Sequence, residues 1–297
     1  MSCGDICPGK KRRLIKVLEF AEVSFNYSPG RPILKNVSLK VQKGEFVAIV
    51  GRNGSGKTTL TKLAMSLLKP AEGQIIFNGV NTKKHTVADI ARHIGYVFQN
   101  PDRQIFRDTV AQEVAYGPEQ LGFTAVQKAQ AVELALAHTG LTGLAEAYPR
   151  ALSKGQKQRV AIASALAMQP EMLILDEPTS GQDAREREKL LNLLVDLNAQ
   201  GMTIILITHD MDILVRYVPR VIVMAEGSKV FDGQVSELFA GGRLIDGWGL
   251  VEPVPVRISR EMAKYNVPPT LQIEELCQCL AGILQGGKIN AEDCTAN

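Results

Sequence analysis

The chain has 297 residues, 45% of them hydrophobic, with 34 basic and 31 acidic side chains and a formal charge of +3. That is enough for one large α/β domain and a small appendage, and the near-balance of charge argues against a nucleic-acid partner. No apolar stretch approaches the roughly 18–20 residues of a membrane span, and there is no apolar leader at the start. The expectation is a soluble, intracellular protein that reaches a membrane only by docking.

In chain order, residues 1–14 read as a flexible tail, and Lys10-Lys11-Arg12-Arg13 within it as a solvated run. Strands are predicted at 17–25 and 33–41, with the turn YSPGRP between them. The continuous apolar run FVAIV (46–50) predicts a strand buried on both faces. A glycine-rich loop follows, then a helix to about Leu68. KPAEGQIIFNGV (69–80) reads as turn, strand, turn. A short helix over 86–93 leads to the strand IGYVF (94–98).

Residues 101–150 are mostly helical in pattern, with breaks expected at Gly117-Pro118 and Gly122. ALSKGQKQRVAIASALA (151–167) opens another helix. MLILD (172–176) and TIILIT (203–208) are predicted strands, with helices near 184–199 and 211–217. RVIVM and KVF flank a turn at Gly227. After Gly241-Gly242, a proline-punctuated linker, VEPVPV, and two short helices suggest a small C-terminal unit.

Five cysteines, Cys3, Cys7, Cys277, Cys279 and Cys294, lie near the ends. Their spacing argues against a zinc site and leaves free thiols in a reducing compartment as the expectation.

Chemistry concentrates at predicted strand ends. GRNGSGKTT (51–59) fits the phosphate-loop pattern with Gly51, Gly56, Lys57 and Thr58. Small residues there let backbone N–H groups turn onto an anion at a helix start. Lys57 supplies a point charge for the phosphates, and the Thr58 hydroxyl suits Mg²⁺. Asp176 and Glu177 stand where the strand 172–176 runs out, one suited to Mg²⁺ through water and the other to polarising an attacking water. Gln99 and His209 also follow core strands; an amide suits water and Mg²⁺, an imidazole the γ-phosphate. His85, His93 and His138 carry no assigned role.

The order of these motifs over residues 17–235 resembles the nucleotide-binding domain of ABC ATPases. That resemblance implies a phosphate-loop α/β fold: a mixed sheet with an antiparallel part, an inserted helical subdomain over about 100–168, and a small C-terminal segment. It divides the chain into a tail (1–14), the ATPase domain (15–240) and a dimerisation segment with tail (241–297).

It also implies that Tyr27 stacks on adenine and that Asn53, Gly54, Ser55 and Thr59 join the ATP loop. Gln99 becomes the Q-loop glutamine and a Mg²⁺ ligand beside Thr58 and Asp176. Ser153, Gly155 and Gln156 become the signature that meets ATP held by a second subunit, Asp183 the D-loop aspartate, and His209 the switch histidine. Lys154 departs from the family, which most often has Gly there; its side chain is expected to point to solvent.

FQNPDRQIFRDTVAQEVAYGPEQLG (98–122) and GLVEPVPVRISREMAKYNVPP (249–269) are similar to the energy-coupling-factor (ECF) importers of vitamins and cobalt or nickel ions. That implies ATP hydrolysis with Mg²⁺ at the cytoplasmic face of the membrane. The implied partners are a transmembrane coupling protein, a substrate-binding membrane protein and a second ATPase subunit, the same chain or a sister. Asp102 and Gln104 are candidates for contacting the coupling protein, with helix capping an equal reading of Asp102. An ATPase of another ABC transporter class, a non-transport ABC protein and a regulator without turnover stay open as alternatives.

Overall fold

The computed structural model describes residues 16–239 and 245–284. The expected tail 1–14 with its basic run, Cys3 and Cys7, the Gly241-Gly242 junction and Cys294 lie outside these residues. No helix among the described residues is long and apolar enough to cross a membrane.

The chain opens with β1 (Lys16–Asn26), β2 (Pro32–Gln42), β3 (Phe46–Val50) and α1 (Lys57–Ala64). Then come β4 (Glu72–Phe77), β5 (Val80–Asn81), α2 (Val87–Ala91) and β6 (Ile94–Val97). The helices α3 (Val110–Gln120), α4 (Ala125–His138) and α5 (Lys154–Ala167) follow consecutively. The chain returns through β7 (Met172–Asp176), α6 (Ala184–Ala199), β8 (Thr203–Ile207), α7 (Met211–Tyr217), β9 (Arg220–Ala225), β10 (Ser228–Gln234) and α8 (Val235–Phe239). It continues with α9 (Val254–Glu261) and α10 (Ile273–Leu284).

Two sheets result. One is antiparallel in the order β2-β1-β4-β5; the other has the order β10-β9-β3-β8-β7-β6 and is parallel except at β10. The strands of the parallel sheet are apolar without interruption because both faces are covered. Along β3, Phe46, Ala48 and Val50 join the cluster formed with α6 and α7. Val47 and Ile49 join the opposite cluster, shared with α1 and the antiparallel sheet. Because β3, β6, β7 and β8 are parallel, their C-terminal ends open at one edge. The phosphate loop, Gln99, Glu177 and His209 follow those four ends.

The helices α3 to α5 build a third cluster from Val110, Val114, Leu136, Leu141, Val160 and Ala163. α5 serves two layers: Val160 and Ala163 face α3 and α4, whereas Ala161, Ile162 and Ala165 face the main sheet. Alanine at these positions allows both approaches within one helix.

Three expectations are corrected. α3 runs through Gly117-Pro118. Gly117 is small for packing, not for a break: a Cβ there would stand 2.6 Å from Met168 Cγ. α1 stops at Ala64, not Leu68, through a left-handed Ser66 (φ 57°) and a bond from the Leu67 N–H to the Lys62 carbonyl (3.0 Å). This closure commonly uses glycine, so serine hid the stop. VEPVPV is not all linker, since Pro253 caps α9 and Pro255 is its second residue. Proline tolerates the first helical turn because those N–H groups have no partner within the helix.

The C-terminal segment packs Ile245, Leu250 and Val256 onto the main core. Val267, Leu276 and Cys279 form a small cluster of their own. Cys277 is an exposed free thiol, but Cys279 is buried and disulfide-bonded, contrary to the reading of all five as free.

Candidate functional site

The phosphate loop owes its path to close packing. Gly51 sits at φ 149°, and a Cβ there would stand 2.1 Å from the Met224 carbonyl oxygen and 2.8 Å from Ser55 Oγ. Only glycine lets the loop leave β3 beside β9. Gly56 precedes Lys57, the first residue of α1, so the loop ends at the positive end of a helix. Ser55 is buried, and its Oγ has no partner among the described residues. Neither Ser55 nor Gly51 lines the cavity that opens over the loop; both lie beneath its surface.

A cavity of about 420 Å³ opens over the loop. Tyr27, Asn53, Gly54, Gly56, Lys57, Thr58, Thr59, Gln99, Asp176 and Glu177 all line it, as does Ile33. Lys57 Nζ donates to the carbonyls of Gly51 (2.6 Å) and Arg52 (2.9 Å). Burial pushes its pKa down, partly offset by the charges of Glu177 and Asp176. Tyr27 is exposed, stands edge-on to Phe25 at 4.9 Å, and its hydroxyl lies 3.4 Å from Thr59 Oγ1. A free aromatic face at the cavity rim is thereby presented.

Asp176 is 8% exposed and accepts from Thr58 Oγ1 at 3.2 Å and from the Tyr96 hydroxyl at 3.3 Å. Burial raises its pKa; the two hydroxyls oppose the shift, and the neighbouring Glu177 adds to it. Thr58, Gln99 and Asp176 all line this cavity, and hydroxyl, amide and carboxylate oxygens are donor types that suit a hard divalent cation such as Mg²⁺. Tyr96, itself bridged to Thr61 Oγ1 at 3.2 Å, was not foreseen from sequence. It pairs with Ile174 across β6 and β7, and only that register shows its hydroxyl reaching Asp176.

Glu177 holds a left-handed backbone, φ 46°, which costs of order 1–3 kcal/mol in a non-glycine residue and recurs where function fixes a side chain. Its carboxylate is held from both flanks. Gln99 Nε2 donates to Oε2 at 2.8 Å, and His209 Nδ1 lies 3.1 Å from Oε1. His209 does not line this cavity. It lines a second one of about 200 Å³ that shares Glu177.

The residues Ser153, Gly155 and Gln156 are absent from that cavity too. Ser153 caps α5 in a reciprocal pair with Gln156: the Gln156 N–H donates to Ser153 Oγ (3.2 Å) and the Ser153 N–H to Gln156 Oε1 (2.9 Å). Asp183 caps α6, accepting from the Glu186 N–H at 2.9 Å. Lys154 is exposed, as expected, with its side chain extending along the surface past Gly181.

Asp102 is no helix cap. Asn100 caps that turn, and Asp102 pairs with Lys157 at 2.9 Å. Gln104 Oε1 accepts from the Phe98 N–H at 3.4 Å. Also unforeseen, buried Glu113 accepts from the N–H groups of Phe106 (2.9 Å) and Arg107 (2.8 Å). It thereby holds Phe106 outward at 53% exposure.

Asp176→Asn tests the burial of that carboxylate. Because Asp176 titrates above its ordinary 3.8 in the fold, the folded state is penalised above that range and not below it. Nucleotide-free Asp176→Asn is expected to melt a few degrees higher at neutral pH, about 2–4 °C per kcal/mol for a domain of this size. The gain should vanish as pH falls toward 3.8. Calorimetry across pH checks this.

Fold and site together define a phosphate-loop nucleotide-binding protein. A family model described as ABC transporter matches residues 34–180. The energy-coupling factor transporter ATP-binding protein EcfA of Methanocaldococcus jannaschii is 42% identical over 226 residues, 75% of this chain and 81% of that protein. An ABC transporter ATP-binding protein of Methanosarcina mazei is 40% identical over 273 residues, 91% of this chain. The chain spans only 46% of that longer relative.

Among solved structures, cbiO1 of Clostridium perfringens, part of the ABC transporter complex cbiONQ, matches at TM-score 0.73 and 36% identity over 85% of this chain and 99% of that one. A dimeric ATP-binding cassette bound to ADP and phosphate matches at TM-score 0.66 and 30% identity, over 73% of this chain and 98% of that one. The chain belongs to the ABC transporter ATP-binding proteins of the energy-coupling-factor type, a family of ATPases coupled to transport.

Proposed function

We propose that this chain is the ATP-hydrolysing subunit, bound at the cytoplasmic face of the membrane, of an ECF-type importer that takes a micronutrient, a vitamin or a cobalt or nickel ion, across that membrane into the cell. The observation that carries the reading is Glu177, clamped by Gln99 and His209 at the edge of a cavity floored by the phosphate loop. The ECF naming of a relative and the transporter complex of cbiO1 support the transport setting.

ATP enters with adenine against Tyr27 and its phosphates in the cradle of Gly51, Asn53, Gly54, Ser55, Gly56 and Thr59. Lys57 turns from the loop carbonyls to the β- and γ-phosphates, exchanging neutral acceptors for anionic ones. Thr58, Gln99 and Asp176, the last through water, would hold Mg²⁺, which neutralises phosphate charge. Glu177 orients and polarises the attacking water, and His209 supports the γ-phosphate. Positioning and electrostatics dominate such a phosphoryl transfer.

Ser153, Gly155 and Gln156 complete the site of a second ATPase subunit, with Asp183 at the shared interface. A dimeric relative holding ADP and phosphate supports that arrangement. Residues 245–284 would contribute to holding the dimer.

The coupling protein docks beside Gln99, reaching Asp102, Gln104 and the exposed ring of Phe106. Phe106→Asp is expected to abolish co-purification with membrane partners and ATP-driven uptake, while nucleotide binding stays within about twofold, since surface changes distant from a site cost little. Co-purification from membranes, with the retained proteins identified by mass spectrometry, checks this. Full retention of the partners by the variant contradicts the docking face, and recovery of no membrane protein with the wild type contradicts the transport reading.

A further inference from the structure

β6 alternates between two faces, as strands do. Val97 joins the core cluster formed with α6 and α7, whereas Ile94 and Tyr96 join the one shared with α1. An aliphatic side chain or a phenylalanine would fill that cluster as well as a tyrosine. The hydroxyl is the part the core does not need, and at 9% exposure Tyr96 has to find it a partner inside the protein.

It meets two elements at once. On α1, Thr58 and Thr61 stand three residues apart and so share a helix face. Thr61 Oγ1 lies 3.2 Å from the Tyr96 hydroxyl and donates to the Thr58 carbonyl at 3.0 Å. On β7, Tyr96 pairs with Ile174, and Asp176 follows two residues on, on the same face of the strand. The long tyrosine side chain spans that offset and donates to Asp176 Oδ2 at 3.3 Å. An edge contact with Phe98, ring centroids 4.6 Å apart, holds the ring from the far side.

The proton count fixes the direction of these bonds. A phenol has one proton, and an ionised carboxylate only accepts. The Tyr96 proton therefore goes to Asp176, and Thr61 shares its own between the Tyr96 oxygen and the Thr58 carbonyl. Thr58 Oγ1 reaches Oδ2 as well, at 3.2 Å. Both donors thus meet the same oxygen of Asp176, and Oδ1 accepts from neither.

We propose that Tyr96 is a positioning residue of the Mg²⁺ site: from β6, its hydroxyl fixes Oδ2 of Asp176 against α1 and so leaves Oδ1 for the water through which Asp176 would hold the ion. The inference rests on the Mg²⁺ reading above. Thr58 has two tasks in that reading, a bond to Asp176 and a lone pair for the metal. Tyr96 has only the first, because it does not line the cavity that Thr58 and Asp176 share. It aims the carboxylate without competing for the ion.

The test is titration calorimetry of the full chain with the non-hydrolysable ATP analogue AMP-PNP, once with Mg²⁺ and once with EDTA. Tyr96→Phe removes one oxygen and keeps the ring in the core. With Mg²⁺ its affinity is expected to fall by about tenfold, the low end of the usual loss when the orienting partner of a metal ligand is removed. In EDTA it stays within about twofold of wild type, as for a change that touches nothing the metal-free analogue touches. A merely structural tyrosine would disturb the loop for both forms and weaken both affinities alike. An Asp176→Asn background completes the cycle: there Tyr96→Phe produces no further loss with Mg²⁺.

Unchanged affinity with Mg²⁺, an equal loss in EDTA, or an undiminished loss in the Asp176→Asn background overturns the proposal. A wild type that binds the analogue equally well with and without Mg²⁺ shows instead that the metal reading has failed, and the proposal falls with it.

Discussion

Glu177→Gln is expected to bind Mg-ATP with wild-type affinity and to lose turnover by about 10²–10⁴-fold, the usual contribution of a residue in the general-base position. The amide is isosteric and still accepts from Gln99 Nε2, which lies 2.8 Å from the carboxylate in the wild type. The clamp survives and the base does not. Removing the charge also relieves Asp176, whose carboxyl the Glu177 charge helps to push up, so metal affinity should not suffer. With hydrolysis blocked and binding intact, ATP should trap a stable dimer, visible as a shift in size-exclusion chromatography with static light scattering. Hydrolysis at near wild-type rates would remove Glu177 from this role.

Lys57→Ala carries the second large effect. The ammonium is buried within the loop, held by two backbone carbonyls at 2.6 and 2.9 Å. Burial lowers its pKa, with Glu177 and Asp176 opposing, so the charge is kept at a cost that bound phosphates would repay. Charge-assisted hydrogen bonds contribute about 1.5–3 kcal/mol each, so losing those to two phosphates should weaken Mg-ATP binding by at least about 100-fold. Titration calorimetry decides it. Unchanged affinity would refute the assignment.

Much of this site was legible because its residues follow strands whose apolar runs are hard to mistake. FVAIV, IGYVF, MLILD and TIILIT fixed four strand ends, and parallel order then gathers the phosphate loop, Gln99, Glu177 and His209 at one edge. What stayed hidden depends on neighbours distant in sequence. Tyr96 reaches Asp176 only through the register of β6 and β7. Gly117 reads as a helix breaker until Met168 is seen beside it. Proline misled in the same way at Pro253 and Pro255, where a helix start and a linker share one local signature.

The central claim is that each ATP site is built from two chains, the phosphate loop of one and the Ser153 helix start of the other. Mixing Lys57→Ala chains with Ser153→Arg chains tests it most directly, by phosphate release. Each variant alone should be inactive. A mixed dimer keeps one whole site, the Lys57 loop of one chain facing the Ser153 of the other. Random pairing makes half the dimers mixed, so the mixture should recover about a quarter of wild-type activity. No recovery from a mixture shown to form mixed dimers would contradict the composite site.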